Sequence, residues 1–154
     1  MNFWAWFVGA FIVLGLGMVG WQYLQPATEV ATPGHSMEPP DTSSIDTGDP
    51  IVAVNLPERL STNAQIGKNV FEAKCAVCHG VNAAGQNGVA PPLVHQIYEP
   101  NHHSDGAFVY AAANGVQAHH WDFGNMPPIE GLTRADVQMV ATYVRELQRA
   151  NGIN

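Results

Sequence analysis

Residues 75–79 read Cys75-Ala76-Val77-Cys78-His79, and this stretch holds both cysteines of the 154-residue chain. Two cysteines are too few for a scaffold of several disulfides, so they indicate a single site. A structural zinc site needs four ligands, and the sequence has no second cysteine pair. A thioredoxin-like redox pair would follow a strand, whereas helical spacing precedes Cys75 here.

The pattern Cys-x-x-Cys-His is the attachment signature of a c-type haem. In such a site the two thiols add to the haem vinyl groups, and the adjacent histidine ligates the iron. Cys75 and Cys78 are three positions apart at the end of a predicted helix, so both project to one side. We therefore expect one covalently attached haem c, with His79 as an axial ligand.

Around this motif the apolar residues of region 60–154 recur at helical spacing, without strand alternation. Ser61 or Thr62 can cap a helix that runs into the motif. Its predicted buried stripe is Ile66, Val70, Ala73 and Val77, with Gly67 and Phe71 beside it. The sequence thus predicts an all-α domain.

Two further helices are predicted. One begins at Ser104 and ends at Asn114-Gly115, a good left-handed terminator. The other follows Thr133, with Asp136 three residues on. Its predicted buried stripe is Val137, Val140, Ala141, Val144 and Leu147, and its Arg145 and Arg149 lie near the negative end of the helix dipole. Stretches 80–101 and 116–132 are long loops, which normally wrap something.

Taken in order, these pieces resemble the small class I cytochromes c over roughly residues 60–150. The matching pieces are Gly67-x3-Phe71, the Cys75–His79 motif, Ala90-Pro91-Pro92-Leu93, Asn125-Met126-Pro127-Pro128, and a last helix with Val140 and Tyr143. The resemblance implies that the first and last helices of the domain cross at Gly67, Phe71 and Tyr143. A glycine permits close approach of the two backbones.

Met126 is the predicted sixth iron ligand, because it lies in a loop before two prolines that stiffen its backbone. Two alternatives stay open, a buried structural methionine and bis-histidine ligation through His119 or His120. The resemblance implies that the Pro91 carbonyl orients His79. Candidates for the apolar haem wall are Leu93, Phe108, Val109 and Leu132, and candidates for bonding the haem propionates are Trp121 and Tyr110. Five histidines, His95, His102, His103, His119 and His120, are either solvated or make a transient copper or partner contact.

Residues 3–24 contain no charge and only one polar side chain, Gln22. As a helix they would reach roughly 33 Å, enough to cross a hydrocarbon core, with aromatic residues near both ends. We predict a transmembrane anchor over residues 1–24; a cleaved signal peptide is the alternative. Residues 25–57, rich in proline and without a base, predict a disordered acidic linker. The haem domain is then expected over 58–154.

The net charge of −7 without a basic cluster excludes nucleic acid as a partner. Anchor, acidic linker and haem domain in that order resemble membrane-anchored cytochromes of the c-y type, although only Lys68 and Lys74 offer lysines near the haem edge. The resemblance implies an electron carrier between membrane redox complexes, held at a bacterial inner membrane with its haem domain in the periplasm. A fixed haem subunit of an oxidase, a dehydrogenase or a copper-handling enzyme is the alternative. A haem peroxidase would require an open sixth position, which Met126 argues against.

Overall fold

The computed structural model describes residues 3–24 and 36–154. The helices are α1 (Phe3–Leu24), α2 (Thr62–Lys74), α3 (Ala76–His79), α4 (Asp105–Asn114) and α5 (Arg134–Ala150), with short 3-10 turns at Val81–Ala83 and Gln96–Tyr98. No strand occurs within these two ranges; only two isolated bridges form. Residues 3–24 belong to one compact unit and residues 36–154 to another. The predicted all-α architecture is confirmed.

Helix α1 has the bounds that the uncharged segment predicted, Phe3–Leu24. Within residues 3–24 and 36–154, no helix was found to be long and apolar enough to cross a membrane. The helix predicted for this segment is therefore present.

The core of the second unit forms where α2 crosses α5. A Cβ added to Gly67 would lie 1.9 Å from the Met139 carbonyl oxygen, so only glycine allows this approach. One turn further on, the rings of Phe71 and Tyr143 pack with centroids 5.7 Å apart. Both side chains are fully or almost fully buried. The predicted crossing is confirmed.

The face that α2 buries differs from the predicted one. Ser61 caps the helix by accepting a hydrogen bond from the Ala64 amide, as expected. The buried residues, however, are Ala64, Gly67 and Phe71, while Ile66 and Val77 are exposed. The prediction selected the more apolar stripe, but close contact with α5 requires the stripe that carries the glycine.

Helices α4 and α5 match their predictions. Helix α4 is preceded by Ser104 and ends at Gly115, whose φ is 77°. Helix α5 begins with a capping box in which Thr133 and Asp136 bond each other's backbone amides. All five residues of its predicted stripe are buried.

Residues 42–55 correct the prediction of a flexible linker. The Gly48 amide donates to the Asn87 carbonyl, and the Asn87 amide donates to the Asp49 carbonyl, each at 2.9 Å. Further along, Asn55 and Asn151 exchange two hydrogen bonds of 2.9 Å. Part of the backbone of this segment is thus satisfied by the domain itself, which low hydrophobicity alone did not reveal. Of the predicted linker, residues 25–35 lie outside the described residues.

Candidate functional site

An apolar cleft of about 260 Å³ lies beside the Cys-x-x-Cys-His motif. Cys75, Cys78 and His79 line it together with Pro91, Leu93 and Met126. The structure thus brings the two predicted attachment cysteines, both predicted axial ligands, Pro91 and Leu93 to one cavity. Phe108 and Leu132 also line the cleft, as predicted for an apolar wall.

Gln86 holds the end of helix α3, the short helix that carries the motif. The Gln86 side chain donates to the carbonyl oxygens of Ala76, Val77 and Cys78 at 3.3, 2.9 and 3.0 Å. The Ala76 carbonyl also accepts from the Gly80 amide at 3.0 Å. The Gln86 bonds therefore matter most for the Val77 and Cys78 carbonyls at the helix end. Gln86 was not predicted as a site residue, because no local spacing links it to this helix.

The His79 ring is held by one strong hydrogen bond. Its Nδ1 donates to the Pro91 carbonyl oxygen at 2.9 Å, the contact that the resemblance implied. A carbonyl only accepts, so Nδ1 carries the proton and the lone pair is left on Nε2. Burial lowers the pKa of His79 below its ordinary value of 6.5, and the Pro91 bond opposes that shift. The imidazole is therefore neutral, the form that ligates a metal.

The two cysteines differ in environment. Cys78 is exposed and Cys75 is half-buried, and both are free thiols. Burial, with a smaller contribution from the neighbouring Cys78, raises the pKa of Cys75 to about 11. Cys75 is thus a protonated thiol at neutral pH.

Met126 is fixed through its backbone. Its amide and carbonyl each bond Val116 at 2.9 Å, directly after α4 ends. Gly115, the residue before Val116, has a positive φ. A Cβ on Gly115 would lie 2.6 Å from the Met126 carbonyl oxygen. Gly115 was predicted only as a helix terminator. Its close approach to Met126 depends on a contact that local sequence does not reveal.

A buried polar network supports the loop that contains Tyr98 and His103, two residues that line the cleft. The Arg145 guanidinium donates to the Tyr98 carbonyl and to Gln148 Oε1, each at 2.6 Å, and also to the His103 carbonyl. Gln148 in turn donates to the Leu93 carbonyl at 2.8 Å. Arg145 was predicted only to lie near the negative end of the helix dipole. The structure shows in addition that it is buried. Its place four residues after Ala141, on the same stripe, was the signal for burial.

The two predicted propionate partners differ in position. Trp121 is buried and lines the cleft, whereas Tyr110 is exposed. Val109, which was predicted for the apolar wall, does not line the cleft. Among the described residues, Trp121 Nε1 has no hydrogen-bond partner of good geometry. A weaker hydrogen bond from Trp121 to the Tyr98 hydroxyl opposes the rise that burial causes in the Tyr98 pKa. A buried N–H of this kind is suited to an acceptor on a ligand within the cleft.

These residues fit a covalent haem. The cleft offers two thiols on one rim, a neutral imidazole with a free Nε2, a thioether from a fixed loop, and an indole N–H for an acidic group. Its remaining lining is mainly apolar, as a largely apolar macrocycle requires.

The comparison with known protein families agrees with this geometry. The family model described as Cytochrome c matches residues 64–148, from the first turn of α2 to the last turns of α5. The matched range contains the Cys75–His79 motif, Pro91, Leu93 and Met126. Because the match covers more than half of the chain, the protein belongs to the cytochrome c family.

Proposed function

We propose that the protein is a membrane-tethered monohaem cytochrome c that passes single electrons between membrane redox complexes. Cys75 and Cys78 hold the haem covalently in this proposal, and His79 and Met126 ligate its iron. The observation that carries it is that both cysteines, His79 and Met126 line one apolar cleft. Membership of the cytochrome c family supports an electron carrier rather than an enzyme.

When bound, the haem supplies a reversible one-electron couple at its iron. The chain's own residues set the conditions for that couple. Pro91 keeps the His79 ring in one orientation and one tautomer. The bridge to Val116 holds the Met126 backbone, so a weak thioether ligand is kept in place. Ligation by methionine and histidine raises the potential relative to stronger axial donors.

Tethering is supported by sequence composition. Residues 3–24 carry no charge, and the large apolar side chains that the structure describes in α1 are exposed, Trp4, Phe11 and Met18 among them. A helix that is apolar all round needs an apolar environment to cover it. In this proposal a bacterial inner membrane provides it, and the haem domain lies in the periplasm, where the resemblance implies that c-type haem is attached.

A fixed haem subunit of an oxidase, a dehydrogenase or a copper-handling enzyme is the second candidate. It is favoured by the packing of residues 42–55 against the domain. Because residues 42–55 are held on the domain, fewer residues than the 33 predicted can act as a flexible tether, which suits a nearby, permanent partner.

The ligation is tested by comparing Met126→Ala with Met139→Ala, a control within α5. In the full haem-loaded chain, Met126→Ala should keep the haem through acid-acetone extraction but lose the weak far-red sulfur-to-iron band of the oxidised protein. The midpoint potential should fall, and Met139→Ala should keep the band. A band that survives in Met126→Ala, or is missing from the wild type, would refute Met126 as the ligand.

The tethered and fixed roles are separated by purification in mild detergent. Co-purification with large redox subunits at constant stoichiometry supports the fixed subunit. Recovery of the haem protein alone, together with reduction and oxidation by several membrane complexes, supports the tethered carrier.

A further inference from the structure

Three histidines form a cluster that the electron-transfer proposal does not use. His103 lies just before α4, and His119 and His120 lie in the loop after it. One ring nitrogen from each can be chosen so that all three lie within 4.8 Å of one another. The ring centroids of His119 and His120 are 4.3 Å apart, and those of His103 and His120 are 5.5 Å apart. No other cluster of this kind was found among the described residues.

Backbone hydrogen bonds orient these rings. His103 Nδ1 donates to the Ile97 carbonyl at 2.6 Å, and His119 Nδ1 donates to the Gln117 carbonyl at 2.9 Å. Because a carbonyl only accepts, Nδ1 is protonated in both rings and Nε2 keeps its lone pair. His120 is hydrogen-bonded to the backbone of Met37. A histidine that ligates a metal is commonly held in this way, by a carbonyl on its other nitrogen.

The surroundings of His103 and His120 favour the neutral form of both rings. Burial and the neighbouring histidines lower the pKa of His103 and of His120 below the ordinary value of 6.5. Arg145 also lowers the pKa of His103 and would repel a bound cation. Its charge is offset by Asp105, which accepts from Arg145 Nε at 2.8 Å. Glu99 lies nearby as well and pairs with His102 at 2.6 Å.

We propose that His103, His119 and His120 form a three-imidazole site for a divalent ion of the Zn²⁺ and Cu²⁺ class. Imidazole nitrogens suit these ions, whereas Mg²⁺ and Ca²⁺ require oxygen ligands. Two nitrogens on one tetrahedral Zn²⁺ are roughly 3.4 Å apart, given Zn–N distances of about 2.05 Å. Closing from 4.8 Å needs a shift of about 1.4 Å. In this proposal, rotation of the exposed His119 and the half-buried His120 supplies that shift.

The site borders the haem cleft, because all three histidines also line that cavity. Solvent access to His119 leaves a fourth coordination position for water or for a partner's ligand. The ion would thus be held at the rim of the redox site, separately from His79 and Met126.

Zn²⁺ titration of the haem-loaded full chain in detergent, followed by calorimetry, tests the site. The wild type should bind one Zn²⁺, and the haem absorption spectrum should not change, since the axial ligands are not used. His119→Ala and His120→Gln should each weaken binding at least about tenfold. His102→Ala is the matched control, because it removes a neighbouring histidine outside the cluster and should leave the affinity unchanged.

Three results would overturn the proposal. They are no binding to the wild type, equal affinity in the wild type and His119→Ala, or a change in the haem spectrum that shows Zn²⁺ at an axial ligand. Because His119 is exposed, its substitution should not unfold the domain, and an unchanged haem spectrum of the variant verifies this. Loss of the far-red band in Met126→Ala bears only on the haem ligation, so the two proposals fail separately.

Discussion

At the scale of single residues, Arg145 shows how one side chain supports a loop of the cleft. Its guanidinium serves backbone carbonyls of Tyr98 and His103 and lies over the Phe108 ring, with 5.1 Å to the ring centroid. These carbonyls sit where a hydrogen-bond donor from solvent has little access. Removing the Arg145 guanidinium therefore costs more folding stability than removing Asp105, the exposed acid with which it pairs.

Arg145→Met should lower the free energy of unfolding by about 2–4 kcal/mol, because buried carbonyls lose their donor. Asp105→Asn should cost less than about 1 kcal/mol, since the Asp105 side chain is 66% exposed and water replaces the pairing. Denaturant unfolding of both haem-loaded variants measures the difference. A larger loss in Asp105→Asn than in Arg145→Met would show that the ion pair, not the carbonyls, matters.

At the scale of elements, the α2–α5 crossing depends on one missing side chain. Gly67→Ala should reduce the free energy of unfolding by about 3 kcal/mol or more, because its Cβ would overlap the Met139 carbonyl of the partner helix. Gly106→Ala in α4 is the control. Its Cβ would meet only Ser104 Oγ, at an ordinary 3.6 Å, and helix propensity should make it neutral or stabilising by up to about 1 kcal/mol. Equal stability of Gly67→Ala and the wild type in denaturant unfolding would contradict this account of the crossing.

The capping box of α5 predicts a pH dependence. The Thr133 hydroxyl, and then its amide, donate to Asp136 and lower the pKa of that carboxyl below 3.8. A depressed folded-state pKa stabilises the fold above the unfolded-state value, and this contribution disappears as the pH falls through the folded-state value. The wild type should therefore be more stable than Asp136→Ala at neutral pH, and the gap should narrow below pH 3.8. Thermal unfolding of both proteins at several pH values measures it, and a gap that is constant with pH would refute the charged cap.

At the scale of the whole molecule, residues 42–55 act as part of the haem domain. Besides the bonds to Asn87 and Asn151, the amides of Ile51 and Val52 both donate to the Ala84 carbonyl at 3.2 Å. Val54 packs against the core as well. Since Ala84 and Asn87 follow the haem motif directly, this segment supports the loop that carries Pro91.

A haem-loaded fragment of residues 58–154 should keep the haem spectrum, because none of the cleft residues lies before position 58. It should nevertheless be less stable than a fragment of residues 36–154, by about 1–3 kcal/mol. Several hydrogen bonds and the Val54 contact are lost, and the ordering entropy of the segment offsets them in part. Denaturant unfolding of the two fragments makes the comparison. Equal stability would restore the original prediction of a linker that is independent of the domain.

The sequence alone determined the haem motif, the helical class, the bounds of α1, and the caps of α2 and α5. Each of these depends on residues within a few positions of one another, so local spacing and helix geometry suffice. The position of Pro91 relative to His79 also followed, through the resemblance to class I cytochromes c.

Only the tertiary structure decided which face α2 buries, that Arg145 is internal, that residues 42–55 pack on the domain, and that His103 meets His119 and His120. All four depend on contacts between residues far apart in the chain, where burial is shared between elements. Hydrophobic periodicity describes one element at a time. It could not show that α2 buries the stripe with Gly67 rather than the more apolar one. Nor could it show that residues 42–55 form hydrogen bonds with the haem domain.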